Sequence, residues 1–181
     1  PGILFACLSL PAHADPAAAA NAAVPASHRD LLRFELKRHE REYGGFSAVV
    51  PSGWSYDSAT HTYSPPKDQL PPLSKRIGFS SLRVWTTCAG TCKPKDWAVV
   101  IEHKVQEIRD KGYLIERDEV PATGQRLIVS KHADKRIIAH FFSRPDGSRY
   151  FLCEAEVDRF AAPALPAFEA ACRGLVTSGW R

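Results

Sequence analysis

The sequence lacks the common short motifs of enzyme active sites. It has no Gly-x-Ser-x-Gly nucleophile elbow, no His-Glu-x-x-His zinc motif and no glycine-rich loop for phosphates or dinucleotides. It also lacks an excess of one charge, because 24 Lys and Arg residues against 20 Asp and Glu residues give a formal net charge of +4. These charges are interleaved, whereas a nucleic-acid-binding surface clusters them. We therefore predict a protein that is not an enzyme, holds no cofactor and binds no nucleic acid.

A long apolar run is missing as well. Residues 1–11 are apolar but fall short of the roughly 20 residues that span a membrane. Ala12-His13-Ala14 follows, which is the small-x-small pattern cut by signal peptidase. We interpret residues 1–14 as a truncated signal peptide and predict a periplasmic or secreted protein. In the alternative, Leu4 to Cys7 acts as a lipobox, and an acylated Cys7 anchors a lipoprotein in the membrane.

The next segment is poor in bulky side chains. Residues 15–26 consist mainly of alanine with a few prolines, and such a composition offers little burial to offset the entropy lost on ordering. We therefore predict a flexible low-complexity linker at residues 15–29. Residues 30–181 then have the length of a single globular domain.

Cysteine is sparse, with five residues in the chain. If Cys7 leaves with the signal peptide, an even number remains, which in an exported chain predicts disulfides. Four cysteines allow three pairings, and spacing alone does not choose among them. The four are Cys88, Cys92, Cys153 and Cys172.

Periodicity selects one pairing. Residues Arg149–Val157 alternate as a strand that places Cys153 on its apolar face. Residues Pro163–Val176 follow a helical stripe that includes Cys172. A helix folding back onto its own strand would bring these thiols together, so we predict a Cys153–Cys172 disulfide.

The remaining pair, Cys88 and Cys92, would close a short loop. Their spacing is poor for a zinc knuckle, and no histidine stands beside them at ligand spacing, so we predict no metal there. Because Cys92 precedes a predicted helix, whose dipole lowers a thiol pKa, a thiol-dependent enzyme stays an alternative.

Alternation and turn signals define the remaining elements. Residues 30–42 are ambiguous between a strand and a charged helix, and the proline-rich residues 55–75 predict a long surface loop. An antiparallel meander flanked by two helices gives an α+β fold. The predicted strands are Phe46–Val50, Ile77–Thr87, Tyr113–Glu119, Gln125–His132, Arg136–Ser143 and Arg149–Val157, and the predicted helices are Lys93–Lys111 and Pro163–Val176.

Two groups of polar side chains could carry chemistry. His132 and His140 alternate in step on neighbouring strands and could form a paired site with Glu116 or Asp118, although we favour two half-exposed cross-strand histidines. Glu154 and Glu156 share one strand face, where we expect them to lie opposite Arg or Lys side chains.

The segment Gly45–Trp54, with the sequence Gly-Phe-Ser-Ala-Val-Val-Pro-Ser-Gly-Trp, resembles the strand-entry motif of PsbP-like and DcrB-like proteins. The order of predicted elements from about residue 30 onward is similar to theirs. This resemblance implies an α/β/α sandwich with an antiparallel sheet between two helices, an exported or lumenal location, and a role in binding or assembly. It transfers no site residues. We expect Trp54 to fold back and cover the sheet edge.

Aromatic residues follow this motif in the predicted loop. Tyr56, His61 and Tyr63 stand among Ser, Thr and Pro residues, and aromatic side chains supply contact area at low entropic cost. We predict that these three residues contact a protein partner, with burial as the alternative. The function that follows is a non-enzymatic exported binding protein, one version being an immunity protein that neutralises a secreted bacterial toxin. The alternative is an envelope lipoprotein or assembly factor of PsbP/DcrB type.

Overall fold

The computed structural model describes residues 15–39, 45–66, 80–87, 96–133, 136–144 and 150–177. The predictions for residues 1–14 and for the Cys88–Cys92 pair lie outside them. The helices are α1 (Pro16–Ala23), α2 (Asp96–Asp110) and α3 (Leu165–Arg173). The strands are β1 (Phe34–His39), β2 (Phe46–Pro51), β3 (Ser55–Asp57), β4 (Thr62–Ser64), β5 (Ser81–Thr87), β6 (Leu114–Glu119), β7 (Gln125–Lys131), β8 (Ile137–Ser143), β9 (Tyr150–Val157) and β10 (Val176–Thr177).

The strands form two antiparallel sheets. The larger has seven strands in the order β3-β4-β5-β9-β8-β7-β6, and the smaller has the order β1-β2-β10. Strand β9 lies inside the larger sheet and pairs along its length with β5 and β8. The strand alternative for residues 30–42 is thus correct for β1. Within the described ranges, the strands expected from alternation are present with shifts of a few residues at their ends.

Helices cover both faces of the seven-stranded sheet. On one face, α2 buries Ile101, Val105 and Ile108 against side chains of β7, β8 and β9. On the other face, α3 packs with α1 and the small sheet over the main core, where Phe168 meets Phe34 edge to face. The α+β fold with a sheet between helices is therefore confirmed. The first four residues of β9, from Tyr150 to Cys153, are all buried, because each face of the sheet has its own cover there.

A disulfide ties α3 to the sheet. Cys153 on β9 and Cys172 on α3 are bonded, with their Cα atoms 5.4 Å apart, and both side chains are buried. The predicted pairing is confirmed. The two periodic patterns placed both sulfurs toward the same core, which is why local sequence was sufficient to pair them.

The predicted flexible linker at residues 15–29 is wrong. Asp15 caps α1 by accepting a hydrogen bond from the Ala17 amide at 2.9 Å, and Ala17 and Ala20 are buried against the core. Asn21 donates to the carbonyl of Phe34 and accepts from its amide. The small alanine side chains let α1 approach α3 closely. Packing against the rest of the chain therefore offsets the entropy that α1 loses on ordering, which the composition of the segment alone does not reveal.

The predicted loop at residues 55–75 is wrong for its first part. Strands β3 and β4 form a hairpin, and β4 adds this hairpin to the edge of the large sheet by pairing with β5. Each strand is three residues long, which is too short to show an alternation in sequence. Residues 67–79 lie outside the described residues.

Candidate protein-binding hairpin

The β3–β4 hairpin forms one edge of the seven-stranded sheet. Tyr56 and Tyr63 face each other across it in register, with their rings 4.7 Å apart. Among the described residues, β3 pairs only with β4. The hairpin thus places its first strand and its tip at the sheet edge, where another chain could reach them.

Side-chain hydrogen bonds hold the hairpin tip. The Asp57 carboxylate accepts from the Ala59 amide at 2.9 Å and from the Thr60 hydroxyl at 2.8 Å. These two bonds lower the pKa of Asp57, so the carboxylate stays charged and keeps accepting them. From β5, Arg83 donates through Nε to the Thr60 carbonyl at 2.9 Å. The tip is therefore built into one conformation by its own residues and by the neighbouring strand.

His61 closes the tip in a conformation that non-glycine residues seldom adopt. Its φ angle is +57°, in the left-handed region, which costs about 1 kcal/mol or more unless surrounding contacts hold it. One ring nitrogen, Nδ1, lies 3.2 Å from the Tyr56 hydroxyl, and its carbonyl accepts from the Val84 amide at 3.1 Å. These contacts fix the His61 ring beside Tyr56, and both side chains are half-buried.

The prediction that Tyr63 contacts a partner is wrong. Its side chain is 1% exposed, and its hydroxyl lies 3.0 Å from Nε2 of His39. Burial raises the pKa of Tyr63 above the usual range, so the hydroxyl stays protonated and available as a donor. Alternation turns Tyr63 toward the main core. Tyr56 and His61 keep accessible surface, and their role as contact residues stays a prediction.

Trp54 folds back into the core against helix α3, and its expected cover of a sheet edge stays a prediction. It is 7% exposed, and its ring lies 5.9 Å from that of Phe168 on α3. The turn before it contains Gly53 with a φ of +76°, a backbone conformation that glycine adopts without strain. This turn reverses the chain after β2 and brings Trp54 back over the core.

Arg83 joins the hairpin to the outer sheet face, and no pattern in the sequence marks it. Besides donating to the tip, its guanidinium stacks on the Trp85 ring at 4.0 Å and lies 3.8 Å from the Glu154 carboxylate. Only the pairing of β5 with β4 and β9 brings these groups together.

His132 and His140 do not form the paired site that was considered from the sequence. His140 Nδ1 lies 2.9 Å from Glu154 Oε1, whereas the His132 ring packs on Tyr113. Glu116 and Asp118, its other candidate members, pair with Lys131 and Arg126. Within the described ranges, no group of three or more His, Cys, Asp or Glu side chains is placed to hold a metal ion.

The expected pairing of the β9 carboxylates with basic side chains is confirmed. Glu154 faces Arg83, and Glu156 accepts from Arg136 at 2.9 Å. Both carboxylates are half-buried. Glu154 also contacts His140, so it takes part in a network that the strand pattern did not indicate.

Comparison with known proteins identifies the fold. No family model matches the sequence, and no curated protein matches it. Among solved structures, the chain is similar to the solution structure of cyanobacterial PsbP (CyanoP) from Synechocystis sp. PCC 6803, with a TM-score of 0.52 over 79% of this chain and 92% of that one, at 10% sequence identity. In the described part of the chain, no helix is long and apolar enough to cross a membrane. At this identity the likeness concerns architecture alone, and the chain has a PsbP-like fold.

Proposed function

We propose that this is a non-enzymatic exported protein that binds a protein partner through the tip and first strand of the β3–β4 hairpin. The observation that carries the proposal is the rigid construction of the tip around Asp57, Thr60 and His61. A loop that is already held in one conformation loses little entropy on binding. The free energy of its contacts then contributes to affinity and is not offset by the cost of ordering the loop.

The part of the hairpin that stays accessible has chemistry that suits a protein partner. Tyr56 and His61 offer rigid aromatic surface, and the outer side of β3 offers backbone groups to which a partner segment could add as a further strand. The strand is short, which limits uncontrolled self-association of sheet edges.

An exported location is part of the proposal. It is supported by the Cys153–Cys172 disulfide, since such bonds persist in oxidising compartments, and by the signal-like pattern of residues 1–14. The protein would be periplasmic or secreted, or tethered to the membrane if Cys7 carries a lipid.

Two versions of this function differ in the partner. In the first, the partner is a secreted bacterial toxin and the chain is its immunity protein. In the second, the chain is an envelope lipoprotein or assembly factor, a version for which the PsbP-like fold gives support at the level of fold only. A purified partner distinguishes them, because an immunity protein abolishes the partner's toxic activity when mixed with it.

Site-specific photo-crosslinking tests the hairpin. A photoreactive amino acid replaces exposed Ser58 at the tip and, as the control, exposed Leu114 on the opposite edge strand β6. Crosslinks in the producing cell are identified by mass spectrometry. The proposal expects one dominant protein adduct from position 58, and an adduct from position 114 alone would contradict it.

Variants then measure the contact with the identified partner. Tyr56→Ala and His61→Gly are expected to weaken binding about tenfold or more, the size typical of central aromatic contacts. Leu114→Ser is the matched control and should bind like the wild type. Equal affinities for all three variants would rule out the hairpin as the interface.

A further inference from the structure

A cleft lies between α2 and the outer face of the seven-stranded sheet. Its volume is about 140 Å³. Ile108, Ile138 and Phe142 form an apolar part, while Lys104, Lys111 and His140 bring polar groups to the same space. It is separate from the hairpin tip, and apolar walls with a few converging polar groups are typical of small-ligand sites.

The two lysines are held in place by one carboxylate. Glu107 accepts from Lys104 on Oε2 and from Lys111 on Oε1, both at 2.6 Å. These hydrogen bonds lower the pKa of Glu107 to about 2, so its carboxylate stays charged at any physiological pH. Because each ammonium has three donors and spends one on Glu107, both lysines keep donors for a ligand.

His140 is oriented by Glu154. Its Nδ1 lies 2.9 Å from Glu154 Oε1, and the residue is 8% exposed. When Nδ1 carries the hydrogen that Glu154 accepts, Nε2 is the ring nitrogen left to meet a ligand in the cleft. Arg83, 3.8 Å from the other oxygen of Glu154, helps to fix the carboxylate. The imidazole is thus held in one orientation at the cleft wall.

We propose that this cleft binds a carboxylate carried on a short apolar group. The carboxylate would accept hydrogen bonds from Lys104 and Lys111, and the apolar group would pack on Ile108, Ile138 and Phe142. A volume of about 140 Å³ is close to that of a cavity of about 150 Å³ that holds benzene. The ligand portion inside the cleft therefore has about six non-hydrogen atoms.

Charged groups surround the cleft on several elements. Lys104, Glu107 and Lys111 come from α2, and Glu154 lies on β9. Arg83 on β5 lies 3.8 Å from the Glu154 carboxylate. The basic side chains therefore outnumber the two carboxylates by one, and this positive charge would be compensated by an entering carboxylate.

A carboxylate of this kind has two sources, a free short-chain acid or the last residue of a peptide chain. Isobutyrate, with six non-hydrogen atoms, is the probe for the first. An acetylated tripeptide that ends in valine is the probe for the second. Isobutyramide and the amidated tripeptide are their matched neutral controls.

Binding is measured by titrating the full protein and following its amide resonances. For at least one of the two carboxylates we expect a Kd of about 1 mM at neutral pH, as suits so small a ligand. The shifts should map to α2 and the facing strands. Binding of isobutyrate alone identifies a free acid, and tighter binding of the tripeptide identifies a chain terminus.

Two variants test the roles of the side chains. Lys104→Gln should weaken binding about tenfold, and His140→Gln should weaken it by a smaller factor because both lysines remain. Exposed Glu102→Gln on the same helix is the control, and an unchanged amide spectrum away from the cleft shows that each variant is folded. The proposal is overturned if the amides bind as well as the acids, if neither acid binds, or if Lys104→Gln binds the acids as tightly as the wild type does.

Discussion

The hydroxyl of Tyr63 lies 3.0 Å from Nε2 of His39, and this hydrogen bond joins the two sheets. Tyr63 belongs to β4 of the seven-stranded sheet, while His39 ends β1 of the small sheet and stacks on Phe46 at 4.7 Å. The Tyr56 ring packs on the rings of His39 and Tyr63. The hairpin proposed to bind a partner is therefore anchored in the core through the residue directly opposite Tyr56.

Replacing Tyr63 tests this anchor. Tyr63→Phe keeps the ring but removes a buried hydrogen bond, and we expect the free energy of unfolding to fall by about 1–3 kcal/mol. Tyr56→Phe is the matched control, because it removes a hydrogen bond from a half-buried hydroxyl and should cost less than about 1 kcal/mol. Urea unfolding at neutral pH measures both. A loss for Tyr63→Phe that is no larger than the loss for Tyr56→Phe would contradict the expected contribution of the link between the sheets.

Removing the disulfide should destabilise the protein without changing its fold. The bond joins residues 19 positions apart, and closing a loop of that size contributes about 3 kcal/mol by restricting the unfolded chain. We expect the double variant Cys153→Ala and Cys172→Ala to lose about that amount in guanidinium unfolding. Wild-type protein in a reductant serves as the control and should lose at least as much. An unchanged midpoint in the variant would contradict the expected contribution.

The lowered pKa of Glu107 predicts that the stability of the protein depends on pH. The hydrogen bonds of Glu107 to Lys104 and Lys111 lower its pKa from 4.5 to about 2, so the folded protein holds the charged form more strongly than the unfolded chain does. The resulting stability is fully present above about pH 4.5 and is lost as the pH falls toward 2. With 35% of the side chain exposed, solvent screening limits it to below about 1 kcal/mol.

Comparison with Glu107→Gln measures this contribution. The variant should be slightly less stable than the wild type at neutral pH, and the two should converge only below about pH 2, where the wild-type carboxyl becomes mostly protonated. An NMR titration of the Glu107 side chain supplies the direct check. A midpoint near the ordinary value would show that the two lysines do not hold this carboxylate in solution.

A substitution at Gly174 tests the close contact between the end of α3 and the small sheet. A Cβ at this position would lie 2.6 Å from Cγ2 of Val49 and 3.3 Å from Cβ of Pro16. Since its φ of −76° suits any residue, the cost of Gly174→Ala is one of space. We expect a loss of about 1–3 kcal/mol from this overpacking. Adding Val49→Ala should recover part of it, and purely additive losses would contradict the contact.

Periodicity alone was sufficient for the elements that bury a regular face. Alternation in β9 and the apolar stripe of α3 placed Cys153 and Cys172 on facing sides, and the predicted disulfide is present. The segment Gly45–Trp54 and the order of elements indicated the PsbP-like fold that the structural comparison supports. Each strand or helix carries its own periodic pattern, so these features follow from the sequence before the elements pack together.

Only the tertiary structure decided the rest. Helix α1 is stable because α3 and β1 meet its small alanine face, and β3 and β4 are strands because β5 offers them an edge. The same pairing buries Tyr63 and leaves Tyr56 half-buried, and the pairing of β8 with β9 sets His140 against Glu154. The sequence alone determined which strands and helices have an apolar face. Which of those faces meet depended on contacts between distant segments, whose energies no local pattern contains.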